Sequence, residues 1–392
     1  PSNRISFKKE PPKWGLFFLC QLACLFLIEN WSVHMNDSLI VNKQEIPIFF
    51  IIGRPRSGTT LIRTLLDAHP NVIVPPEYPV IPDLIHRFGL HPRWTPKLKK
   101  EFLQAFKQPQ TFEFWNYDYL QIDEQALLKD LDELPIDTPM TKVIKLFYLH
   151  SKSVFPKQEI QWIGDKNPVY ALYTRLLMKW FPEAKFLFII RDPRDNFVSM
   201  KKFDWEAPNS VIQAWRWKYI TKMMFQLHQK YPERTFLFRY EDLASKPRNL
   251  FKKICNFLDI DDDENVFEFY RISGQENLGF IERETFLKYH ESLTKPINTD
   301  TIGKWLYELQ PNDIEILELV AGKWLERAGY QRRYTKKSII LPIKTSPFVI
   351  YSWLLYKLML AGENIPYSLK VKLSRFLPSL ARIYGKVVKL KK

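Results

Sequence analysis

Cysteine is scarce: the 392 residues hold three, Cys20, Cys24 and Cys255. Only Cys255 falls in the central part, so neither a disulfide framework nor a cysteine-based metal site can be assembled there. That favours a reducing compartment over a secretory lumen. A long apolar run is also missing. The best stretch, Trp14 to Ile28, is uncharged, and Lys8, Lys9 and Lys13 before it resemble the flank of a signal-anchor. It is nevertheless shorter than the roughly 20 residues a spanning helix needs. No internal repeat is visible, which sets aside a repeat array. No recognised nucleic-acid-binding module accompanies the charge, so nucleic acid is not an expected partner.

Basic residues are abundant, but unevenly placed. The formal net charge is +15, and between Arg332 and Lys392 fourteen Lys and Arg face a single acid, Glu363. The rest of the chain is close to neutral, so the high isoelectric point describes a tail. Apolar stretches in that tail, such as Phe348 to Leu360, are broken by Gly362, Pro366 and Pro378. Basic helices carrying Tyr351, Trp353 and leucines on their other face suit an anionic membrane surface. A solvated helical cap on the preceding domain is the plainer alternative.

The most informative stretch lies near the start of the central part. Ile46 to Ile52 is a β-branched apolar run that predicts a buried strand. A loop with Gly53, Pro55 and Gly58 follows, then a helical pattern with Leu61, Leu65 and Leu66 on one face. Strand, glycine-bearing loop and helix start together make an anion cradle, because free backbone N–H groups and the helix dipole both point at the loop. Arg56, Ser57, Thr59 and Thr60 add donors. A triphosphate loop would require Gly-x-x-x-x-Gly-Lys-Ser/Thr. Gly53 and Gly58 have that separation, but Thr59 takes the lysine's place and the cation stands at Arg56, which argues against an ATPase or GTPase.

The run Arg56-Ser57-Gly58-Thr59-Thr60 resembles the 5′-phosphosulfate loop of sulfotransferases, which use 3′-phosphoadenosine 5′-phosphosulfate (PAPS). With Pro55 to Leu61, Leu66 to Pro70, and Glu77 ahead of Ile81-Pro82, it is most similar to tyrosylprotein sulfotransferases. Alternation of strands and helices along the chain implies a parallel, doubly wound sheet. The expected fold is α/β, a P-loop-type three-layer sandwich with a central parallel sheet and a helical C-terminal tail. Residues 1–39 are expected to be an apolar leader or non-native upstream segment, 40–334 the sulfotransferase domain, and 335–392 a basic amphipathic tail.

A second anion site is expected where a strand ends at Ile190, in Arg191-Asp192-Pro193-Arg194-Asp195 and Ser199, since charged residues at the carboxyl edge of such sheets meet ligands. The resemblance implies that Arg191 and Ser199 bind the 3′-phosphate; the residues alone also allow a salt-bridged strand end. Family members carry a further arginine at the position of Phe203, near which Lys201 and Lys202 are displaced. The resemblance makes Glu77 the general base for an acceptor hydroxyl, although Pro75-Pro76-Glu77 also reads as a helix start. His69, His86 and His91 are rival bases, with His69 better suited to a structural role. Lys166, in Gly164-Asp165-Lys166-Asn167-Pro168, matches a family lysine that contacts the transferring group, with Arg56 as its partner; a surface lysine beside Asp165 is the alternative.

Tyr240 in Arg239-Tyr240-Glu241 and Lys295 in Lys295-Pro296-Ile297-Asn298 resemble cofactor-side elements of the family, and Gly303-Lys304-Trp305 a segment of bacterial members. The resemblance therefore implies sulfuryl transfer from PAPS to a hydroxyl without a metal. Given the composition, the expected acceptor is a carbohydrate or lipid-linked hydroxyl, with protein tyrosine as the alternative. The expected location is cytoplasmic, peripheral at a membrane, or else type II anchoring by residues 14–28. A P-loop kinase and a non-catalytic nucleotide-binding protein are the readings of other classes.

Overall fold

The computed structural model describes residues 46–108, 117–202, 209–273, 283–334 and 340–362. The leader, with the candidate anchor 14–28 and the predicted boundary at residue 40, lies outside the described residues, as do Phe203 and the end of the tail.

Five parallel strands form one sheet in the order β2-β3-β1-β4-β5: β1 Ile48–Gly53, β2 Val72–Ile73, β3 Trp162–Lys166, β4 Lys185–Ile190 and β5 Thr235–Arg239. The two-residue side-chain period of a strand sends alternate residues to opposite faces. Ile48, Phe50 and Ile52 of β1 enter one core with Phe186, Phe188 and Ile190. Phe49 and Ile51 enter another with Leu187 and Ile189. Both faces are thus apolar, which is why these strands read as continuous hydrophobic runs. Helices Ile81–Phe88, Pro96–Lys107, Met140–Leu149 and Ser210–Lys230 cover the first face, and Thr59–Ala68 and Pro247–Leu258 the second. Each phenylalanine fully buried between these layers contributes about 1.5–3 kcal/mol, and Phe49, Phe50, Phe186 and Phe188 have no exposed surface at all.

The architecture is an α/β fold around a central parallel sheet, as expected. β1 sits in the middle; the chain passes first to the edge strand β2, returns to β3 beside β1, and then crosses to β4 and β5 on the other side. The carboxyl ends of β1, β3, β4 and β5 therefore open on one edge, where strand order reverses and doubly wound sheets bind ligands.

Two expected elements differ. A helix opening near Glu77 was implied by the double proline, but the segment stays irregular and the helix starts at Ile81, with Pro82 in its first turn. Three successive prolines, Pro75, Pro76 and Pro79, each bias the preceding residue toward extended backbone. The amphipathic pattern from Asn312 to Ala328, which reads in the sequence as one closing helix of the domain, divides into Pro311–Ala321 and Lys323–Arg327 at Gly322, whose φ of +62° no continuous helix can accommodate.

Candidate active site at the carboxyl edge of the sheet

The loop after β1 is held from below. Arg54 reaches across to the helix Ser210–Lys230, donating to the Gln213 carbonyl at 2.8 Å and to its side chain at 2.5 Å. Asn196 donates to the Pro55 carbonyl at 2.8 Å and to the Ser57 hydroxyl at 3.3 Å. Gly58 takes a left-handed φ of 89° at the N-cap of Thr59–Ala68, and no side chain caps that helix. Its first N–H groups are consequently left without an intrahelical or side-chain acceptor among the described residues, the condition for an anion site.

Cations surround this helix start. Arg56 donates from Nε to the Ser199 hydroxyl at 3.0 Å. Burial, and then the neighbouring Arg191, pull its guanidinium down to about 10, against the pull of Glu77 and Tyr240. Arg191, first residue after β4, donates to the carbonyls of Arg56 and Thr301, each at 2.8 Å, and lies 4.6 Å above the Tyr240 ring. Its Nε is buried with no partner among the described residues. A buried orphan donor is costly unless something accepts from it, so this atom suits an anionic ligand.

Lys166 ends β3 rather than following it, in register with Ile51 of β1. Its ammonium donates to Thr60 Oγ1 at 3.2 Å and pairs closely with Glu77. Burial lowers its pKa while Glu77 raises it, and Arg63 and Arg56 lower it further. Glu77 is positioned by the helix that bears the loop: Arg63 donates to the Val74 carbonyl from Nε at 2.8 Å, and Asp67 accepts from the Val74 N–H at 2.9 Å. The adjacent Asp165 accepts from the Tyr148 hydroxyl at 2.7 Å and from Asn167, and burial pushes its carboxyl up to about 7.

A cavity of about 300 Å³ opens over these groups, lined by Arg56, Gly58, Thr59, Thr60, Arg191, Ser199 and Tyr240. The structure thus gathers ten of the predicted site residues, with Ser57 beneath the loop and Lys166–Glu77 bonded to its rim. Lys295 is left out. It is exposed and paired at 2.8 Å with Glu291, which itself lines the cavity, as do Ile297 and Asn298 of the same element. The three rival histidines are elsewhere: His69 is bonded to the Asp261 carbonyl at 2.9 Å, His86 packs 5.6 Å from the Trp180 ring, and His91 is exposed.

Two lining residues, His290 and Thr301, escaped sequence reasoning, and two more, Lys304 and Lys202, were named there without a role in the site. His290 ends the helix Arg283–His290 and faces the cavity, where burial and the cations Lys166, Arg56 and Arg63 push it down to about 3. Thr301 accepts or donates at 2.7 Å with the Tyr240 hydroxyl. Lys304 is brought in because Asp195 accepts from the N–H groups of Gly303 and Trp305 at 2.7 and 3.0 Å. Lys202, which sequence had placed nearby but displaced, also lines the cavity, whereas Lys201 lies over Phe197. The Asp195 signal was present in Arg191-Asp192-Pro193-Arg194-Asp195, but nothing local said which distant segment it would hold.

A family model described as the sulfotransferase family matches residues 47–264. The Drosophila melanogaster protein-tyrosine sulfotransferase is 27% identical over 299 residues, which cover 73% of this chain and 52% of the relative. The chain thus spans about half the length of that relative. Protein-tyrosine sulfotransferase 1 of Danio rerio is 24% identical over 338 residues, covering 80% of this chain and 85% of the relative. Among solved structures, the sulfotransferase domain of the Synechococcus PCC 7002 olefin synthase shares the fold, with a TM-score of 0.51 at 23% identity over 77% of this chain and 99% of that domain. The chain belongs to the sulfotransferase family, the PAPS-dependent enzymes of sulfuryl transfer.

Proposed function

We propose that this enzyme transfers a sulfuryl group from PAPS to a tyrosine hydroxyl of a peptide. The observation that carries the reaction is the cluster Lys166–Glu77–Thr60 set beside Arg56 at an uncapped helix start. PAPS, when bound, supplies the sulfuryl group and a bisphosphate leaving group. The N–H groups of Gly58, Thr59 and Thr60, with Ser57 and Arg56, would hold the 5′ side, and Arg191 with Ser199 the 3′-phosphate, where the orphan Nε of Arg191 finds its acceptor. Tyr240 would flank the nucleotide. Glu77 takes the proton of the attacking hydroxyl, and Lys166 and Arg56 stabilise the negative charge that develops on the leaving phosphate. Lys166 passes from its partner Glu77 toward that charge as the carboxylate becomes neutral.

The acceptor reading rests on the relatives, both named as protein-tyrosine sulfotransferases. They support tyrosine over the carbohydrate or lipid-linked hydroxyl expected from composition. Membership of the family sets aside the kinase reading. The test is transfer of label from sulfur-35 PAPS to an acidic tyrosine peptide, its phenylalanine counterpart, and carbohydrate and lipid-linked hydroxyls. Label on the tyrosine peptide alone, reduced about 100-fold or more in Glu77→Gln, is expected. Label only on a carbohydrate or lipid would refute the tyrosine acceptor. Undiminished transfer by Glu77→Gln would remove that residue as the base.

A further inference from the structure

The helix Ile340–Gly362 has two unlike faces. The inner one packs on the body: Leu341 is buried with Leu317 and Val320, Thr345 and Ser352 are buried, and the Tyr356 ring lies 3.9 Å from Tyr219 and 6.0 Å from Trp215. The outer face carries Ile340, Ile343, Pro347, Ile350 and Leu354, spaced alternately three and four residues apart, with Trp353 beside them. That spacing is one stripe of a helix. Ile340 is 62%, Ile343 70%, Ile350 55%, Trp353 49% and Leu354 48% exposed. Half of the large hydrophobic side chains exposed among the described residues therefore sit on or beside this one stripe, and such concentration marks an interaction surface.

Charge decides what the stripe meets. Lys344 and Lys357 are the helix's charged residues, and it carries no Asp or Glu. The chain beyond it adds eight Lys and Arg against Glu363 alone. An apolar stripe with Trp, bordered and followed by cations, is complementary to an anionic bilayer, where side chains enter the headgroup boundary and cations meet phosphate. A nucleic acid would use the cations but leave the isoleucines in water. No described helix is long and apolar enough to cross a membrane.

We propose that the outer face of Ile340–Gly362 docks the enzyme on an anionic lipid surface. The stripe belongs to the same packed unit as the site, since Leu341 and Phe348 join the cluster of Phe197 and Val198, and Ser199 follows directly. Docking through it holds the cavity at a fixed attitude to the membrane.

The test is co-sedimentation of the full chain with phosphatidylcholine vesicles containing or lacking about 30 mol% phosphatidylserine. The expected result is binding to the anionic vesicles, weakened about tenfold or more in the double variant Ile343→Glu/Ile350→Glu and at high salt. The variant's melting temperature and bisphosphate affinity should stay as in the parent, because the changed side chains are exposed. Four results would overturn the proposal. They are absence of binding; binding that the double variant retains, which would leave the tail charge alone responsible; a parent dimer that Ile350→Glu dissociates; and protection of the stripe by residues 363–392, seen as new exposure of Trp353 when they are removed.

Discussion

Replacing Gly58 by alanine tests how the anion loop is built. A Cβ there would stand 2.4 Å from Tyr240 Cδ2 and 3.0 Å from Cε2, on a backbone whose φ is +89°. Two costs follow, and they separate. The left-handed backbone costs an L-residue about 1–2 kcal/mol wherever the ring is. The overlap requires Tyr240 to move by about 1 Å to restore ordinary contact. That movement puts at risk its 2.7 Å bond to Thr301 and the stacking of Arg191 4.6 Å above it, worth about 0.5–1.5 and 0.5–2 kcal/mol respectively. The whole cost of Gly58→Ala is therefore about 2–5.5 kcal/mol. In a Tyr240→Ala background only the backbone part remains, about 1–2 kcal/mol. Urea unfolding of the parent, both single variants and the double variant measures this as a coupling energy. An equal cost of Gly58→Ala in both backgrounds would refute the argument that the ring occupies the space the glycine leaves. Titration with 3′-phosphoadenosine 5′-phosphate adds a functional reading: Gly58→Ala should bind it at least about tenfold more weakly, since the helix N–H groups move with the backbone.

The pH dependence of stability should carry the signature of Asp165, whose carboxyl burial raises to about 7. An unfolded aspartate titrates near 3.9, so between about pH 4 and 7 the native state holds a proton that the unfolded state has released. Stability therefore falls as pH rises through that window, by at most about 1.4 kcal/mol per unit. Asp165→Asn should flatten this fall; parallel curves for parent and variant would show that the carboxyl titrates normally. On the ligand side, Lys295→Ala should leave bisphosphate affinity within about twofold, because its exposed ammonium does not line the cavity and only pairs with the exposed Glu291 of the cavity wall. Lys304→Ala should weaken it about tenfold, the value of a charge-assisted contact. The reverse ranking in a calorimetric titration would mean that the 295–304 segment closes differently around a ligand.

Much of the fold was legible in the sequence, for an identifiable reason. Strands buried on both faces need unbroken β-branched and aromatic runs, and Lys185 to Ile190 and Thr235 to Arg239 are such runs with the bounds the structure shows. The long helix Ser210–Lys230 was equally plain, opened by Asn209, whose side chain accepts from the Ile212 N–H. Local signals failed where a distant contact decides the outcome. Pro75-Pro76-Glu77 has the composition of a helix start, yet Arg63 and Asp67 hold Val74 extended and carry Glu77 onto Lys166 instead. Lys295 and Lys304 lie nine residues apart, both beside small or proline residues. Which of them enters the cavity is set by Asp195, more than a hundred residues earlier. His290 was invisible for the same reason, as a lone histidine at the end of a short polar helix has no pattern to announce it.

The division between legible and illegible residues has a functional counterpart. The family match ends at residue 264; the groups from Arg56 to Tyr240 fall inside it, while Lys295 and Lys304, also named from the sequence, fall beyond it. The opposite wall of the cavity, His290, Leu293, Ile297, Asn298, Thr301 and Lys304, falls wholly beyond it. Two kinds of contact clasp that wall to the matched part: the Asp195 bonds to Gly303 and Trp305, and the meeting of Thr301 with Arg191 and Tyr240. Both anchors act on the nucleotide side, one through Arg191 and Tyr240 themselves and the other through Asp195, four residues after Arg191. A wall so tied can vary in its free residues without disturbing the loop after β1. It follows that exchanges at His290, Leu293 or Asn298 should alter the choice of acceptor before they alter affinity for the bisphosphate. Loss of bisphosphate affinity in His290→Ala, with acceptor preference unchanged, would place that histidine on the cofactor instead.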